Sequence, residues 1–222
     1  MFSGIAGKYD LLNHVLSGGI DFYWWRRMAR ASGAAKGKRL LDVAAGTGDS
    51  SIALARRGAE VVSTDFTHAM LRLGPSKFRQ KKLESLIWAS ADADAQALPF
   101  RSEEFDGLTI CYGIRNVEDR MKAYAEFLRV LKPGGRLTIL EFSTPVLPGF
   151  RGLYTWYSLK VLPRIGALIS GDRSAYTYLP ESIREFPDQP RLAQELKTAG
   201  FEQVRWTNLT GGIVALHVGI KP

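Results

Sequence analysis

Two glycines held among carboxylates pose the chemical question in this chain. Gly46 and Gly48 lie in Leu40-Leu41-Asp42-Val43-Ala44-Ala45-Gly46-Thr47-Gly48-Asp49, and Asp65 closes the next apolar run. Leu40 to Val43 reads as a short strand, the glycines permit a sharp turn with close backbone approach, and Ser50 to Arg57 resumes a helical pattern. Strand Glu60 to Thr64 then delivers Asp65 where doubly wound folds place the acid that accepts hydrogen bonds from ribose hydroxyls. Glycines alone would only close a strand onto a helix; with Asp65 behind them, they predict an adenosine-cofactor site built on Asp42, Gly46, Gly48 and Asp65. A dinucleotide fingerprint would need a third glycine at position 51, which is Ser, and a phosphate loop would need Gly-Lys-Ser or Gly-Lys-Thr. Asp42, Asp49 and Asp65 would repel phosphates but suit the sulfonium and amino group of S-adenosylmethionine.

The elements that must position these residues fit one domain over 1–222, with enough apolar residues, 45% of the 222, for a sizeable core. The single cysteine, Cys111, excludes a disulfide framework, and His14, His68 and His217 show no ligand spacing, so no metal is expected. No signal peptide and no apolar run of membrane-spanning length is found, which predicts a cytoplasmic chain. The net charge of +8 is dispersed in short clusters without aromatic interleaving, so no nucleic-acid partner is expected.

Strands alternate with helices after Asp65. Thr67 is placed to cap a helix through about Lys82. Ser85 to Ala89 and Phe105 to Cys111 read as strands, Glu118 to Leu131 as a helix, and Lys132-Pro133-Gly134-Gly135 as its stop before strand Arg136 to Phe142. Pro190 to Ala199 is helical, Gly200 ends it, and strands Gln203 to Asn208 and Ile213 to Gly219 follow with a hairpin-like link. The pattern predicts an α/β, Rossmann-like class I methyltransferase fold: a seven-stranded, mostly parallel sheet with an antiparallel final strand. Aromatic residues gather off that sheet, in 1–33 and 145–186, which are expected to cover the substrate over the strand C-termini.

Met1-Phe2-Ser3-Gly4-Ile5-Ala6-Gly7-Lys8-Tyr9-Asp10, with Asn13 and Ser17, resembles the opening motif of the ubiquinone/menaquinone biosynthesis C-methyltransferase family. Gly113-Ile114-Arg115-Asn116-Val117, the stretch Arg129 to Arg136 running into Leu140-Glu141-Phe142-Ser143, Tyr176 to Ile183, and Leu209 to His217 resemble its later signatures. The Lys-Pro-Gly-Gly element is common to many methyltransferases. Gly113 to Val117 is narrower, since sheet packing requires neither Arg nor Asn at a strand mouth.

The resemblance implies methyl transfer from S-adenosylmethionine to a ring carbon of a polyprenylated quinol, either demethylmenaquinol or the benzoquinol precursor of ubiquinone. A start at the opening motif without an extension favours the menaquinone branch. It further implies that Tyr9, Gly46, Thr47, Asp65, Asp94, Ala95 and Cys111 line the cofactor, with Asp92 competing with Asp94 for the adenine amino group. Cys111 is expected to pack rather than attack. Tyr112, Tyr178 and Ser182 are expected against the substrate, while Arg115 stabilises the phenolate and orders water and Asn116 positions neighbours. The partners expected are the prenylated quinol and, through the aliphatic and basic stretch Pro148 to Gly171, the membrane surface; a homodimer is compatible with the chain. An RNA or protein N-methyltransferase is disfavoured because Cys111-Tyr112-Gly113-Ile114 stands where an amine-binding Asn-Pro-Pro-Tyr or Asp-Pro-Pro-Tyr would be, and a prenyl-lipid carrier is disfavoured by the intact glycine turn and Asp65.

Overall fold

Seven strands form one sheet in the order β3-β2-β1-β4-β5-β7-β6, in a computed structural model that describes His14, residues 17–147, Gly149, Gly152 and residues 181–222. The strands are β1 (Arg39–Val43), β2 (Glu60–Asp65), β3 (Ile87–Asp92), β4 (Phe105–Cys111), β5 (Leu131–Phe142), β6 (Glu202–Leu209) and β7 (Val214–Ile220). Strands β1 to β5 pair in parallel, and β7 runs antiparallel to both β5 and β6. The expected mostly parallel sheet with a reversed final strand is what forms. The order reverses beside β1, so the crevice between the C-terminal ends of β1 and β4 is the position where such sheets bind ligands.

Alternation along the strands builds the two covered faces. Leu41 and Val43 of β1 join Leu108 and Ile110 of β4 beneath α5 (Arg120–Val130) and α6 (Gln189–Ala199), whose Tyr124, Phe127 and Leu196 are fully buried. Leu40 points the other way, toward Trp24 and Met28 of α1 (Asp21–Ala31) and toward Ile52 and Leu54 of α2 (Asp49–Ala55). Asp119 caps α5 by accepting from Lys122 N–H at 3.0 Å, and Gly200 ends α6 in the left-handed region with φ 108°.

Three boundaries differ from the pattern. The helix expected from Thr67 to Lys82 is two, α3 (His68–Leu71) and α4 (Gly74–Gln80), because Gly74-Pro75 starts a new first turn, where proline's missing N–H costs nothing. The strand expected at Ser85 to Ala89 starts at Ile87 and runs to Asp92. Lys132 to Gly135 do stop α5, but inside β5: the ladder to β4 passes from Phe105 opposite Leu131 to Gly107 opposite Arg136, so the four residues bulge out. Gly134, with φ 73°, turns its N–H to the Lys221 carbonyl there, 2.9 Å away. Among the described residues, no helix is long and apolar enough to cross a membrane.

Candidate active site

The turn after β1 is made of backbone that few side chains tolerate. Ala44 (φ 53°), Gly46 (φ 57°) and Gly48 (φ 90°) all lie in the left-handed region. A Cβ on Gly48 would come within 2.4 Å of the Phe78 ring, whereas one on Gly46 would meet nothing nearer than Met70 Cε at 3.6 Å. Gly48 is therefore required by packing, and Gly46 keeps a stretch of backbone open at the end of β1.

Asp65 fixes that turn. Its Oδ2 accepts from Gly46 N–H at 2.8 Å and its Oδ1 from Thr67 N–H at 2.7 Å, so Thr67 is held through its backbone N–H. Each oxygen keeps lone-pair capacity for a further donor, which fits a pair of ribose hydroxyls. Burial pushes the Asp65 carboxyl above its ordinary range, the Thr67 and Gly46 amides oppose that, and Asp92, its partner in the β2–β3 register, adds to the rise. Phe66, the next residue, is 80% exposed, a large apolar face standing in water beside the acid. Its signal in the sequence was its place directly after Asp65.

The acidity expected of this pocket is otherwise relocated. Asp42 does not line it: the carboxylate is fully buried beneath the turn, with Oδ2 accepting from Ser50 and Ser51 hydroxyls at 2.6 Å each and Oδ1 from Thr109 Oγ1 at 2.7 Å. It points to α2 because β1 alternates, and burial raises its pKa against those three bonds. Asp49 is paired with Lys77 Nζ at 2.7 Å, and the same ammonium donates to Thr47 Oγ1 at 3.1 Å, so Thr47, 3% exposed, is also tied inward. Asp92 pairs with His68 at 2.9 Å. Asp94 closes its own turn by accepting from Gln96 N–H at 2.8 Å, and Ala95 packs against the core. Asp92 and Asp94 thus both stand beyond Asp65 on the β3 side, neither committed to the core.

Across the crevice, β4 ends against the same turn. Cys111 is buried, and burial, reinforced by Asp42 and Glu141, pushes its thiol well above the ordinary value, which suits packing and not attack. Tyr112 follows with φ 56°, then Gly113, on which a Cβ would lie 2.4 Å from Ala44 Cβ. A single 3-10 turn, Ile114–Asn116, carries Arg115 and the exposed Asn116.

Arg115 is buried and paired with an acid. Its side chain is 5% exposed, and Nη1 donates both to Glu141 Oε1 at 2.6 Å and to the Tyr112 carbonyl at 2.7 Å. The guanidinium lies 5.6 Å from the centre of the Phe142 ring. Burial pushes Glu141 up, while Arg115 and the Phe142 and Arg115 amides pull it back. Arg115 Nε is buried without a hydrogen-bond partner among the described residues. Glu141 is the residue missed: an acid inside the apolar run Leu137 to Phe142 was its signal. Ser182 is 9% exposed in a helical turn over 181–185, and the chain just beyond it is tied to the end of β5 by Gln189 Nε2 donating to the Thr144 carbonyl at 3.2 Å. Tyr9, Tyr178 and most of Pro148 to Gly171 lie outside the described residues. Among the described residues, no group of three or more His, Cys, Asp or Glu could hold a metal.

The strand order, with a glycine cradle and a ribose-type acid at the strand C-termini, is that of the Rossmann-like fold of S-adenosylmethionine-dependent methyltransferases. A solved S-adenosylmethionine-dependent methyltransferase from Aquifex aeolicus superposes with a TM-score of 0.65 at 16% identity, over 89% of this chain and 89% of that one. The cyclase SpnF superposes with a TM-score of 0.73 at 17% identity, over 100% and 94% of the two chains, so the fold alone leaves the chemistry open. The chain belongs to the ubiE/COQ5 methyltransferase family, whose profile matches residues 1–221. It is 47% identical to the demethylmenaquinone methyltransferase of Mycobacterium sp. (strain KMS) over 222 residues, all of this chain and 93% of the relative. It is 46% identical to the ubiquinone/menaquinone biosynthesis C-methyltransferase UbiE of Proteus mirabilis (strain HI4320), covering 100% of this chain and 89% of that one.

Proposed function

We propose that this chain methylates a ring carbon of a prenylated quinol, demethylmenaquinol first and the benzoquinol precursor of ubiquinone as the second reading. One observation carries it. The Gly46–Asp65 cradle follows β1 and β2 and the Arg115–Glu141 pair lies at the ends of β4 and β5, with Gly113 set so close to Ala44 that a Cβ would not fit between them, in a chain whose full-length relatives bear those names.

Gly46 and Asp65 would hold S-adenosylmethionine by backbone approach and ribose hydrogen bonds, with Phe66 offering an apolar face to the adenine and Asp92 or Asp94 an acceptor for its amino group. When bound, that group supplies an electrophilic methyl on a sulfonium. An aromatic carbon becomes nucleophilic when the neighbouring quinol hydroxyl is ionised or strongly hydrogen-bonded, so the reduced ring is the substrate. Arg115 Nη1 is spent on Glu141 and Tyr112 O, which fixes the guanidinium; Nε remains a buried donor, and a quinol oxygen would satisfy it. The Arg115–Glu141 pair carries no net charge, so Arg115 acts by a directed hydrogen bond and by ordering water for loss of the ring proton, with Asn116 beside it. Tyr112, Tyr178 and Ser182 complete the substrate wall in this reading. Residues 1–222 act as one domain, with 1–33 and 145–186 as its cover, in the cytoplasm and in peripheral contact with the membrane.

The test is mass-spectrometric detection of methylated product from purified protein, S-adenosylmethionine and reductant with a short-tail demethylmenaquinol and, separately, a matching benzoquinol. Methylation of the naphthoquinol alone supports the first reading, and of the benzoquinol alone the second. Methylation of neither, with cofactor binding intact, removes both.

A further inference from the structure

We propose that the outward arc of α1 docks this protein on an anionic lipid surface. On a helical projection Phe22, Tyr23, Arg26, Arg27 and Arg30 share one continuous arc, and Trp24, Met28 and Ala29 occupy the opposite, buried one. The solvent side of a helix is ordinarily polar, yet here Ile20, Phe22 and Tyr23 are 42%, 52% and 46% exposed. Arginines follow them over the next two turns, Arg26 and Arg30 exposed and Arg27 donating to Tyr23 Oη at 2.8 Å. The one acid of α1, Asp21, is buried against His14, so no carboxylate of the helix itself stands on the cationic arc. Aromatic rings at one end and guanidinium groups along the rest match an interface of acyl boundary and phosphate. The chain's net charge of +8 favours the same partner.

The opposite arc ties this surface to the active site. Trp24 Nε1–H donates to Thr210 Oγ1 at 2.8 Å, and its ring meets Phe142 edge-on at 6.3 Å. Phe142 lies 4.7 Å from the Tyr112 ring and beneath Arg115. The docking arc is thus separated from the site wall by the thickness of one helix, so a substrate tail could stay in the bilayer while its ring reaches the crevice. That purpose rests on the quinol reading; the docking itself does not.

Flotation of the full chain with phosphatidylcholine vesicles, with and without phosphatidylglycerol, tests it. The wild type should enrich on the anionic vesicles in a salt-sensitive manner. Arg26→Gln/Arg30→Gln should weaken partitioning about 30-fold, since each lost cation is expected to count about fivefold. Phe22→Ser/Tyr23→Ser should also release the protein, while cofactor affinity and melting temperature stay unchanged in both variants. Absence of wild-type enrichment, salt-independent binding, or variants that float like the wild type would overturn the proposal. So would loss of cofactor binding with the variants, which makes the arc structural, or self-association lost in the same variants without vesicle binding, which assigns it to a second copy. Docking without methylation of either quinol would count against the proposed reaction alone.

Discussion

Arg115 and Glu141 neutralise each other inside the site, and that decides what each substitution does. Arg115→Ala leaves a buried carboxylate uncompensated, and breaking such a pair costs about 3–5 kcal/mol of stability. Turnover should fall far more than cofactor affinity, because the cradle at Gly46 and Asp65 is untouched. Arg115→Met/Glu141→Leu should recover most of the melting temperature and none of the turnover, which melting curves, calorimetry and product formation would show; equal losses in turnover and cofactor affinity would defeat the assignment. Asp65→Ala should do the reverse, weakening S-adenosylmethionine binding about 10- to 150-fold if it removes hydrogen bonds to a charged group worth about 1.5–3 kcal/mol. The sequence made Asp65 legible because the acid and the glycine turn share one strand-helix-strand unit. Asp42 was misplaced and Glu141 missed for the same reason: Thr109 stands 67 residues from Asp42, and Arg115 stands 26 from Glu141 across a helix, so residue type was visible and partner was not.

At the scale of elements, the site depends on β4 lying close against the turn after β1. Gly113 has an ordinary φ of −115°, so its requirement is steric: Gly113→Ala would drive a methyl into Ala44 Cβ. The expected cost is about 1–3 kcal/mol, with cofactor affinity reduced because the displaced turn carries Gly46. Ala44→Gly should be well tolerated alone, since Ala44 already sits at φ 53°, and in combination it should relieve the clash. A double-mutant cycle in stability and cofactor binding checks this, and simple additivity would sink it. The mostly parallel sheet with its reversed final strand was legible from the alternation of strands and helices. Boundaries were less so where backbone chemistry permits two outcomes: Gly74-Pro75 can continue a polar helical pattern or begin a helix, and Lys132 to Gly135 can end a helix or bulge a strand.

The whole molecule should be acid-sensitive through a buried group on β7, in addition to Asp106 and Glu126, whose hydrogen bonds and cationic partners hold their carboxyls below the ordinary range. His217 Nε2–H donates to the Gln189 carbonyl at 3.0 Å, joining β7 to the start of α6, and Nδ1 has no partner among the described residues. Burial lowers its pKa from 6.5 to about 4, so as pH falls the unfolded chain takes up the proton first. Its contribution is complete above about pH 6.5 and is lost progressively down to about pH 4. Asp42, Asp65 and Glu141, all raised by burial, act with the opposite sign: their effect is fully present below their ordinary range and disappears as pH rises through the raised values. A bare stability curve therefore mixes the two, but comparison with His217→Gln cancels the carboxylates, which both proteins share. Between neutral pH and about pH 4.5, the wild type should lose about 2–3 kcal/mol relative to the variant, because proton uptake by the unfolded chain alone costs about 1.4 kcal/mol for each pH unit below 6.5. Urea unfolding at the two pH values measures it, and a parallel decline of both proteins would mean that the imidazole does not govern acid stability.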